Sequence, residues 1–215
     1  MVKIVLILLC IIIGIYGWKK KVIDFSGFLA SLFVGIIIIV FLPLIWFVPL
    51  FLLFSIGGAT ARYKWELKKK IGVAERKSGR SYANVLGNGL VAVGCAILYF
   101  ITKDALFLFA YLAAVAEACG DSVATEIGQL SKKKPRLITD LRPVRTGTSG
   151  AISLKGEIAG LIAIILTSLV PFLYFGNQTL FFLVVIASFI GINIDSLIGA
   201  SLEDKYKFMN NHTTN

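Results

Sequence analysis

The chain has 215 residues, of which 57% are hydrophobic and only 16% are charged, and its mean hydropathy is +0.85. A soluble domain of this length has no interior large enough to bury so much apolar surface, so the composition excludes a soluble globular protein and indicates an integral membrane protein. The net charge of +10 fits loop topology and attraction to anionic membrane lipids, or a polyanionic substrate. Nucleic-acid binding is not expected, because the loops are short and contain no recognition motif.

Seven apolar segments approach the length of about 20 residues that a membrane-spanning helix needs. This pattern predicts an all-α, polytopic membrane helix bundle of about seven transmembrane helices. It forms a single membrane domain over 1–205, with basic loops at 60–82 and 129–155 and a polar tail at 206–215. The first and third segments are short, so a re-entrant or mismatched segment stays open there. The predicted spans are Val2–Gly17, Phe25–Phe41, Pro43–Ala59, Ala83–Ile101, Ala105–Ile127, Glu157–Phe175 and Thr179–Gly199.

The basic residues predict the orientation. With seven spans, all of the 22 Lys and Arg except Lys3 and Lys103 lie on one side. Because cytoplasmic loops carry the excess of Lys and Arg, that side is expected to be cytoplasmic. The N-terminus is then outside and the C-terminus inside, in a multi-pass protein of the cell membrane.

The first cluster of polar residues follows the basic loop 60–82. If a helix begins near Ser81, then Ser81, Asn84 and Asn88 fall on one helical face, next to Arg80. For Ser81 a helix-capping role is favoured. For Asn88, which lies deeper in the span, an interhelical hydrogen bond or a ligand contact is favoured.

A second cluster precedes the sixth span. The turn Gly147-Thr148-Ser149-Gly150 follows Arg142 and Arg145 and opens a helix that carries Lys155. Glycines on both sides of the turn allow successive backbone N–H groups to point at an anion, and the helix N-terminus adds positive potential. The pattern is consistent with phosphate binding, although such a turn is also common in ordinary loops.

Apart from Glu157, which begins the sixth predicted span, four acidic residues lie inside predicted spans. Glu117 and Asp121 share one helical face, Glu126 projects elsewhere unless the helix loosens, and Asp195 lies in the last span. In the predicted topology all four occupy the cytoplasmic halves of their helices. A charged side chain at the bilayer centre costs roughly 2.5–3.5 kcal/mol on insertion scales, so these acids are expected to line a polar cavity, pair with a cation or bind a metal.

Two interpretations of the acids stay open. One is a metal–nucleotide site, because Mg²⁺ prefers carboxylate and phosphate oxygens and neutralises charge during phosphoryl transfer. The other is a set of internal salt bridges, for example between Glu117 or Asp121 and Arg80 or Arg145.

In this order, these segments resemble the phytyl-phosphate kinase family, which includes the vertebrate transmembrane protein 19 group and is distantly related to dolichol and phytol kinases. The resemblance covers most of the chain from about Asp24 onward. It implies phosphoryl transfer from a nucleoside triphosphate, CTP by expectation, to an isoprenoid lipid monophosphate, giving the diphosphate. The motifs that carry it are Gly79-Arg80-Ser81, Val85-Leu86-Gly87-Asn88-Gly89, Gly120-Asp121-Ser122-Val123-Ala124-Thr125-Glu126-Ile127-Gly128, Pro135-Arg136-Leu137-Ile138-Thr139, Pro143-Val144-Arg145-Thr146-Gly147-Thr148-Ser149-Gly150 and Asp195-Ser196-Leu197-Ile198-Gly199-Ala200.

Residues and resemblance together give the expected site, on the cytoplasmic side. Asp121 and Asp195 hold Mg²⁺ with help from Glu117 or Glu126, and Arg145 joins Asp121, Glu126 and Asp195 as a catalytic residue. No dedicated base is needed, because the acceptor phosphate is already an anion. The expected phosphate-binding residues are Arg80, Asn84, Asn88, Gly147, Thr148, Ser149, Gly150 and Lys155.

Other functions stay open at this point. A CTP-dependent isoprenol kinase or a lipid-phosphate cytidylyltransferase would use the same site. A cation-coupled transporter or lipid flippase is a different class, but it predicts acids across the whole membrane depth, whereas the outer halves of the spans contain none. Homo-oligomerisation is also left open.

Overall fold

The computed structural model describes residues 1–74 and 77–203, so the expected polar tail lies outside the described residues. Within them the chain forms seven long helices, one short helix and a two-stranded ribbon. A 3₁₀ turn at Leu44–Trp46 precedes α3, and a π-helical turn at Gly199–Glu203 follows α8. The helices are α1 Val2–Lys19, α2 Phe25–Phe41, α3 Phe47–Arg62, α4 Trp65–Lys70, α5 Tyr82–Thr102, α6 Leu106–Gly128, α7 Leu154–Phe175 and α8 Gln178–Ile198.

Every predicted span forms a helix, and the all-α polytopic bundle is confirmed. Among the described residues, five helices are long and apolar enough to cross a membrane: α1, α3 with its preceding turn, α5, α6 and α8. The short first and third segments are thus both of spanning length. α2 is a shorter apolar helix of 17 residues, about 26 Å long at 1.5 Å per residue. The orientation of the termini stays a prediction.

α6 is the central helix of the bundle and packs against α3, α5, α7 and α8. Its side chains at Tyr111, Val115 and Cys119 are fully buried, and the Tyr111 hydroxyl donates a 2.6 Å hydrogen bond to the carbonyl of Trp46. In contrast to α6, α1 has no buried residue, and it packs along α2. A carboxylate on the C-terminal half of α6 is therefore inside the protein.

α6 and α7 approach each other through small residues. A Cβ atom on Gly160 would lie 2.9 Å from the carbonyl oxygen of Gly120, and one on Gly156 would lie 2.6 Å from that of Ala124. Small residues allow such backbone contacts between membrane helices, where van der Waals packing replaces the hydrophobic effect. The contact places the N-terminal end of α7 beside the acidic end of α6.

The segment before α5 is tied to the α1–α2 loop. The Arg80 N–H donates to the Val22 carbonyl at 3.0 Å, and the Asp24 N–H donates to the Arg80 carbonyl at 2.9 Å. Gly79 has φ +103° and lies against the backbone of Ile23, which leaves no room for a side chain. These contacts fix the position from which the Arg80 side chain extends.

Three of the long helices begin at the end of the bundle where the basic loops lie, and each has a side-chain cap. Asp24 caps α2, Ser153 caps α7, and Ser81 with Asn84 forms a capping box at α5. The Ser81 N–H donates to Asn84 Oδ1 at 3.1 Å. The predicted capping role of Ser81 is confirmed, and the caps satisfy backbone donors that a helix start leaves unpaired.

The loop between α6 and α7 is closed by the ribbon. β1 (Arg136–Leu137) pairs with β2 (Ala151–Ile152) in antiparallel register, with Leu137 opposite Ala151. The Ile138 N–H donates to the carbonyl of Gly150 at 3.0 Å. The ribbon holds the glycine turn directly before α7.

Candidate functional site

A cavity of 630 Å³, here called the carboxylate cavity, lies at the basic end of the bundle between α6, α7, α8 and the loop before α7. Asp121 and Asp195 both line it, although they are 74 positions apart in the chain. Asp121 is buried, with only 7% of its surface exposed. The other main lining residues are Thr125, Gly128, Gln129, Thr146, Gly147, Thr148, Ser149, Gly150, Ser153, Gly156, Glu157 and Ser196.

The predicted glycine turn forms one wall of this cavity. Gly147 and Gly150 have φ +89° and +69°, a backbone conformation that glycine adopts without strain. The Thr148 N–H and hydroxyl both donate to the Arg145 carbonyl, at 3.1 and 2.8 Å. Gly150 packs directly on the carbonyl of Ser196 at the end of α8, where a Cβ would overlap it.

The N-terminus of α7 opens at the same cavity. Ser153 lines the wall and caps the helix by accepting a 3.2 Å hydrogen bond from the Gly156 N–H. The first-turn amides and the helix dipole place positive potential there, which favours an anion. The cavity thus has two carboxylates on one side and an anion-binding helix start on the other.

Glu157 is a lining acid that the sequence reasoning missed. It stands in the first turn of α7, half-buried, and its carboxylate interacts with the Asn193 side chain of α8. An acid in the first turn of a helix ordinarily stabilises the helix through its dipole. The position of Glu157 in the sequence therefore gave little reason to single it out. The available signal was its place ten residues after Gly147, directly behind a phosphate-type turn.

The donor set of this cavity suits a hard cation. Its titratable lining groups are carboxylates, and hydroxyl and backbone oxygens surround them. In the part of the chain that the structure describes, no three His, Cys, Asp or Glu side chains converge into a ready-made metal centre. Mg²⁺ usually takes one or two carboxylates and completes its shell with water and phosphate oxygens. Asp121 and Asp195 fit that requirement when a phosphate is present.

Glu117 lies one helical turn from Asp121 but outside the lining of the cavity. Its side chain packs on Gly191 of α8, where a Cβ would meet the Glu117 Cγ at 2.7 Å. It is near enough to Asp121 and Asp195 to interact with both electrostatically. The three acids therefore lie close together between α6 and α8.

Glu126 points away from the carboxylate cavity, as its spacing from Asp121 predicts for a regular helix. It pairs with Lys68 of α4 through a 2.5 Å contact between Nζ and Oε2, and Arg80 Nη2 lies 4.0 Å from Oε1. Lys68 is fully buried and also donates to the Thr60 carbonyl at 2.7 Å. A buried ammonium needs such partners, because an unpaired one costs several kcal/mol.

Nothing in the sequence distinguishes Lys68 from its neighbours Lys69 and Lys70. All three belong to a basic run that topology explains, whereas in the structure α4 folds back and buries the first of them. A buried salt bridge of the kind expected is therefore present, but its central pair is Glu126 with Lys68. Of the residues in the expected pairs, Arg80 takes part in this cluster.

The expected phosphate-binding residues divide into three groups. The turn Gly147–Gly150 lines the carboxylate cavity. Arg145 and Lys155 are exposed and lie outside that lining: the Arg145 guanidinium lies over Gly72, and Lys155 Nζ donates to the Leu130 carbonyl at 3.3 Å. Their positions leave them at the rim of the site.

Arg80, Asn84 and Asn88 line a second cavity of 380 Å³ between α1, α2, α3 and α5, here called the apolar cavity. The Asn88 amide donates to the Ser122 hydroxyl at 3.3 Å, so this group touches α6 directly beside Asp121. α6 therefore separates the two cavities. The apolar lining includes Cys10, Ile13, Gly14, Gly17, Val22, Ile23, Leu32, Gly35, Phe47, Leu50, Phe51, Phe54, Gly58, Ala59 and Val85.

Comparison with known proteins gives relatives along most of the chain. An uncharacterised membrane protein of Methanocaldococcus jannaschii is 33% identical over 206 residues, which cover 96% of this chain and 85% of the relative. An uncharacterised membrane protein of Synechocystis is 32% identical over 170 residues, covering 75% of this chain and 65% of the relative. The chloroplast protein VTE6 of Arabidopsis thaliana is 35% identical over 171 residues, covering 75% of this chain and 51% of the relative.

No solved structure matches the chain. The family described as integral membrane protein DUF92 matches residues 8–215, which include every residue that lines the two cavities. Its description agrees with the bundle of apolar helices. The chain is a member of the integral membrane protein DUF92 family.

Proposed function

We propose that this protein is a membrane-embedded kinase that transfers a phosphoryl group from a nucleoside triphosphate, with CTP as the expected donor, to an isoprenoid lipid monophosphate. The product is the lipid diphosphate. The observation that carries the proposal is the carboxylate cavity, where Asp121 and Asp195 face the Gly147–Gly150 turn and the start of α7. Carboxylates opposite an anion-binding turn suit a cation held between protein and polyphosphate.

Each part of the cavity has a role in this proposal. Asp121 and Asp195 would hold Mg²⁺, which when bound supplies positive charge against the phosphoryl oxygens. The backbone amides of the turn and of the first turn of α7 orient the nucleotide phosphates. Glu157 lines the cavity from the first turn of α7, and Glu117 lies behind Asp121.

The resemblance described above supports the choice of acceptor. A lipid monophosphate carries its own anionic nucleophile, so the transfer needs positioning and charge stabilisation more than a protein base.

The proposal is tested with purified protein, a radiolabelled isoprenyl monophosphate, CTP and Mg²⁺. Formation of the diphosphate and CDP is expected. A CDP-lipid with release of pyrophosphate would indicate a cytidylyltransferase instead, and consumption of CTP with the alcohol alone would indicate an isoprenol kinase. No consumption of any nucleoside triphosphate with any of these lipids would refute the kinase and favour a transporter.

Two substitutions locate the activity. Asp121→Asn and Asp195→Asn are each expected to lower turnover by about 100-fold or more, the size of effect seen when one preorganised electrostatic contact to a transition state is removed. The matched control is Asp140→Asn, an exposed acid in the loop before α7 that pairs with Arg142 at the surface. Folded Asp121→Asn and Asp195→Asn proteins with control-level activity would refute the assignment.

A further inference from the structure

The apolar cavity has the form of a site for one linear hydrocarbon chain. On α3 its lining runs from Phe47 to Arg62, which at 1.5 Å per residue is about 22 Å. Small residues leave space for the cavity, since Gly14, Gly35 and Gly58 all line it. Concave apolar sites with a few polar groups at one end are typical of ligand pockets.

The charged groups of this cavity are gathered at one end. Arg62 ends α3 and Arg80 precedes α5, so both guanidinium groups belong to the basic end of the bundle. The terminal nitrogen Nη2 of Arg62 is buried, and among the described residues it has no hydrogen-bond partner. A buried guanidinium N–H without a partner is costly, and an anion in the cavity would satisfy it.

The same end of the cavity adjoins the carboxylate cavity. The Arg80 guanidinium lies beside Gly57 of α3 and close to Ser122 of α6. Ser122 also accepts the hydrogen bond from Asn88, and it follows Asp121 directly in the helix. An anion held by the two arginines would therefore lie next to α6 at the level of Asp121.

We infer that the apolar cavity binds the acceptor lipid, with its single isoprenoid chain between α1, α2, α3 and α5 and its phosphate on Arg62 and Arg80. This inference rests on the proposed function for the identity of the occupant. It adds a residue, Arg62, that the sequence reasoning did not select. It also gives the two cavities separate tasks: the carboxylate cavity takes the nucleotide and the apolar cavity takes the lipid chain, and their polar ends meet beside Asp121 and Ser122, where the two phosphates would come together.

The experiment measures binding of tritiated geranylgeranyl monophosphate to the purified protein without nucleotide and without Mg²⁺. Arg62→Gln is expected to weaken binding by about tenfold or more, the effect of losing one charge-assisted hydrogen bond. Arg62→Lys keeps the charge and is expected to retain part of the affinity. The matched control is Arg142→Gln, an exposed arginine at the same end of the bundle.

A second pair of variants tests the chain-binding part. Gly35 faces the cavity, and a Cβ there would make only ordinary contact with Phe47 at 3.9 Å, so Gly35→Leu fills the cavity without a clash at its first atom. It is expected to weaken binding of both the monophosphate and geranylgeraniol by about tenfold. Gly94→Leu is the control, because a Cβ on Gly94 meets nothing within 4 Å and the residue does not line the cavity.

Competitors distinguish the sources of the phosphate. Unlabelled geranylgeranyl monophosphate should displace the probe, whereas inorganic phosphate and the two-chain lipid phosphatidic acid should compete at least tenfold more weakly. Equal competition by inorganic phosphate would refute recognition of the chain. Thermal unfolding of each variant shows that it is folded.

The results separate this inference from the proposed function. If Arg62→Gln and Gly35→Leu bind the lipid like their controls while the wild-type protein makes diphosphate, the cavity assignment is wrong and the kinase stands. If both variants lose lipid binding but the wild-type protein consumes no nucleoside triphosphate, the kinase is wrong and the lipid site stands.

Discussion

The carboxylate cavity and the apolar cavity lie on two sides of the same helix and are built in different ways. The first is polar: it combines acids on α6 and α8 with a glycine turn and the start of α7. The second is lined mainly by apolar and small side chains of α1, α2, α3 and α5, and its two arginines lie at one end. The difference shows that the charged lining groups of both cavities lie at one end of the bundle, while the membrane-level helices supply apolar space.

The contact between the two regions is short. Asp121 faces the carboxylate cavity and the next residue, Ser122, receives the hydrogen bond from Asn88 of the apolar cavity. Successive residues of an α-helix point about 100° apart, so two neighbours on α6 serve two different spaces. Changes on one side should therefore affect one ligand, and changes at the contact should affect both.

The largest effect is expected at the glycine turn. Gly150→Ala would place a Cβ into the carbonyl of Ser196 and into Ala200, and it would also strain a positive φ. We expect turnover with CTP to fall by about 100-fold or more, with lipid binding to the apolar cavity unchanged. The measurement is a kinase assay beside the binding assay above.

Gly176→Ala is the matched control for this change. Gly176 has nearly the same φ of +68°, but a Cβ there meets nothing within 4 Å. The Gly176→Ala variant therefore introduces the backbone strain without a steric clash, at a cost of order 1–3 kcal/mol. Equal loss of activity in both variants would contradict a specific role for the turn.

The second prediction concerns the buried ion pair of Lys68 with Glu126, beside which Arg80 of the apolar cavity lies. Lys68→Met leaves Glu126 buried without its ammonium partner and is expected to cost about 3–5 kcal/mol of stability. A double variant, Lys68→Met with Glu126→Leu, should recover much of that loss, since an apolar pair can replace a buried ion pair. Thermal unfolding in detergent measures both.

Lys70→Met serves as the control, because Lys70 belongs to the same helix and is exposed. Its unfolding temperature should match that of the wild-type protein. A Lys68→Met protein as stable as this control would mean that the pair contributes no net stability.

The smallest effect is expected at the contact between the cavities. Asn88→Ala removes the 3.3 Å hydrogen bond to Ser122 and should weaken lipid-phosphate use by about fivefold, the worth of one hydrogen bond. Ser122→Ala should have a similar effect. If the two residues act through each other, the double variant will lose little more than either single one; additive losses would contradict the link.

Much of the fold follows from local sequence. The length of the apolar segments was sufficient to predict all the spans. Ser81 and Asn84 indicated the start of α5, because a capping box involves only residues three positions apart. The juxtaposition of Asp121, Asp195 and the glycine turn was also predicted, since a common topology brings these helix ends to one level. The local pattern was sufficient wherever the deciding contacts were near in sequence or imposed by the membrane.

The residues that the sequence did not single out share one physical origin. Lys68, Glu157 and Arg62 look like ordinary basic or capping residues in the sequence, and only long-range packing buries them or turns them toward a cavity. The expected phosphate group also divides between two cavities, because the Arg80 backbone is fixed to the α1–α2 loop and not to the loop before α7.

By itself the sequence determined that the chain is a membrane helix bundle, that its charge lies at one end and that acids and a glycine turn occur there together. These properties depend on composition and on periodicity, which a linear chain carries without folding. Only the tertiary structure decided which side of α6 each polar residue faces. That choice depends on how closely α7 and α8 approach α6, and the small residues at Gly120, Gly156 and Gly160 set that distance.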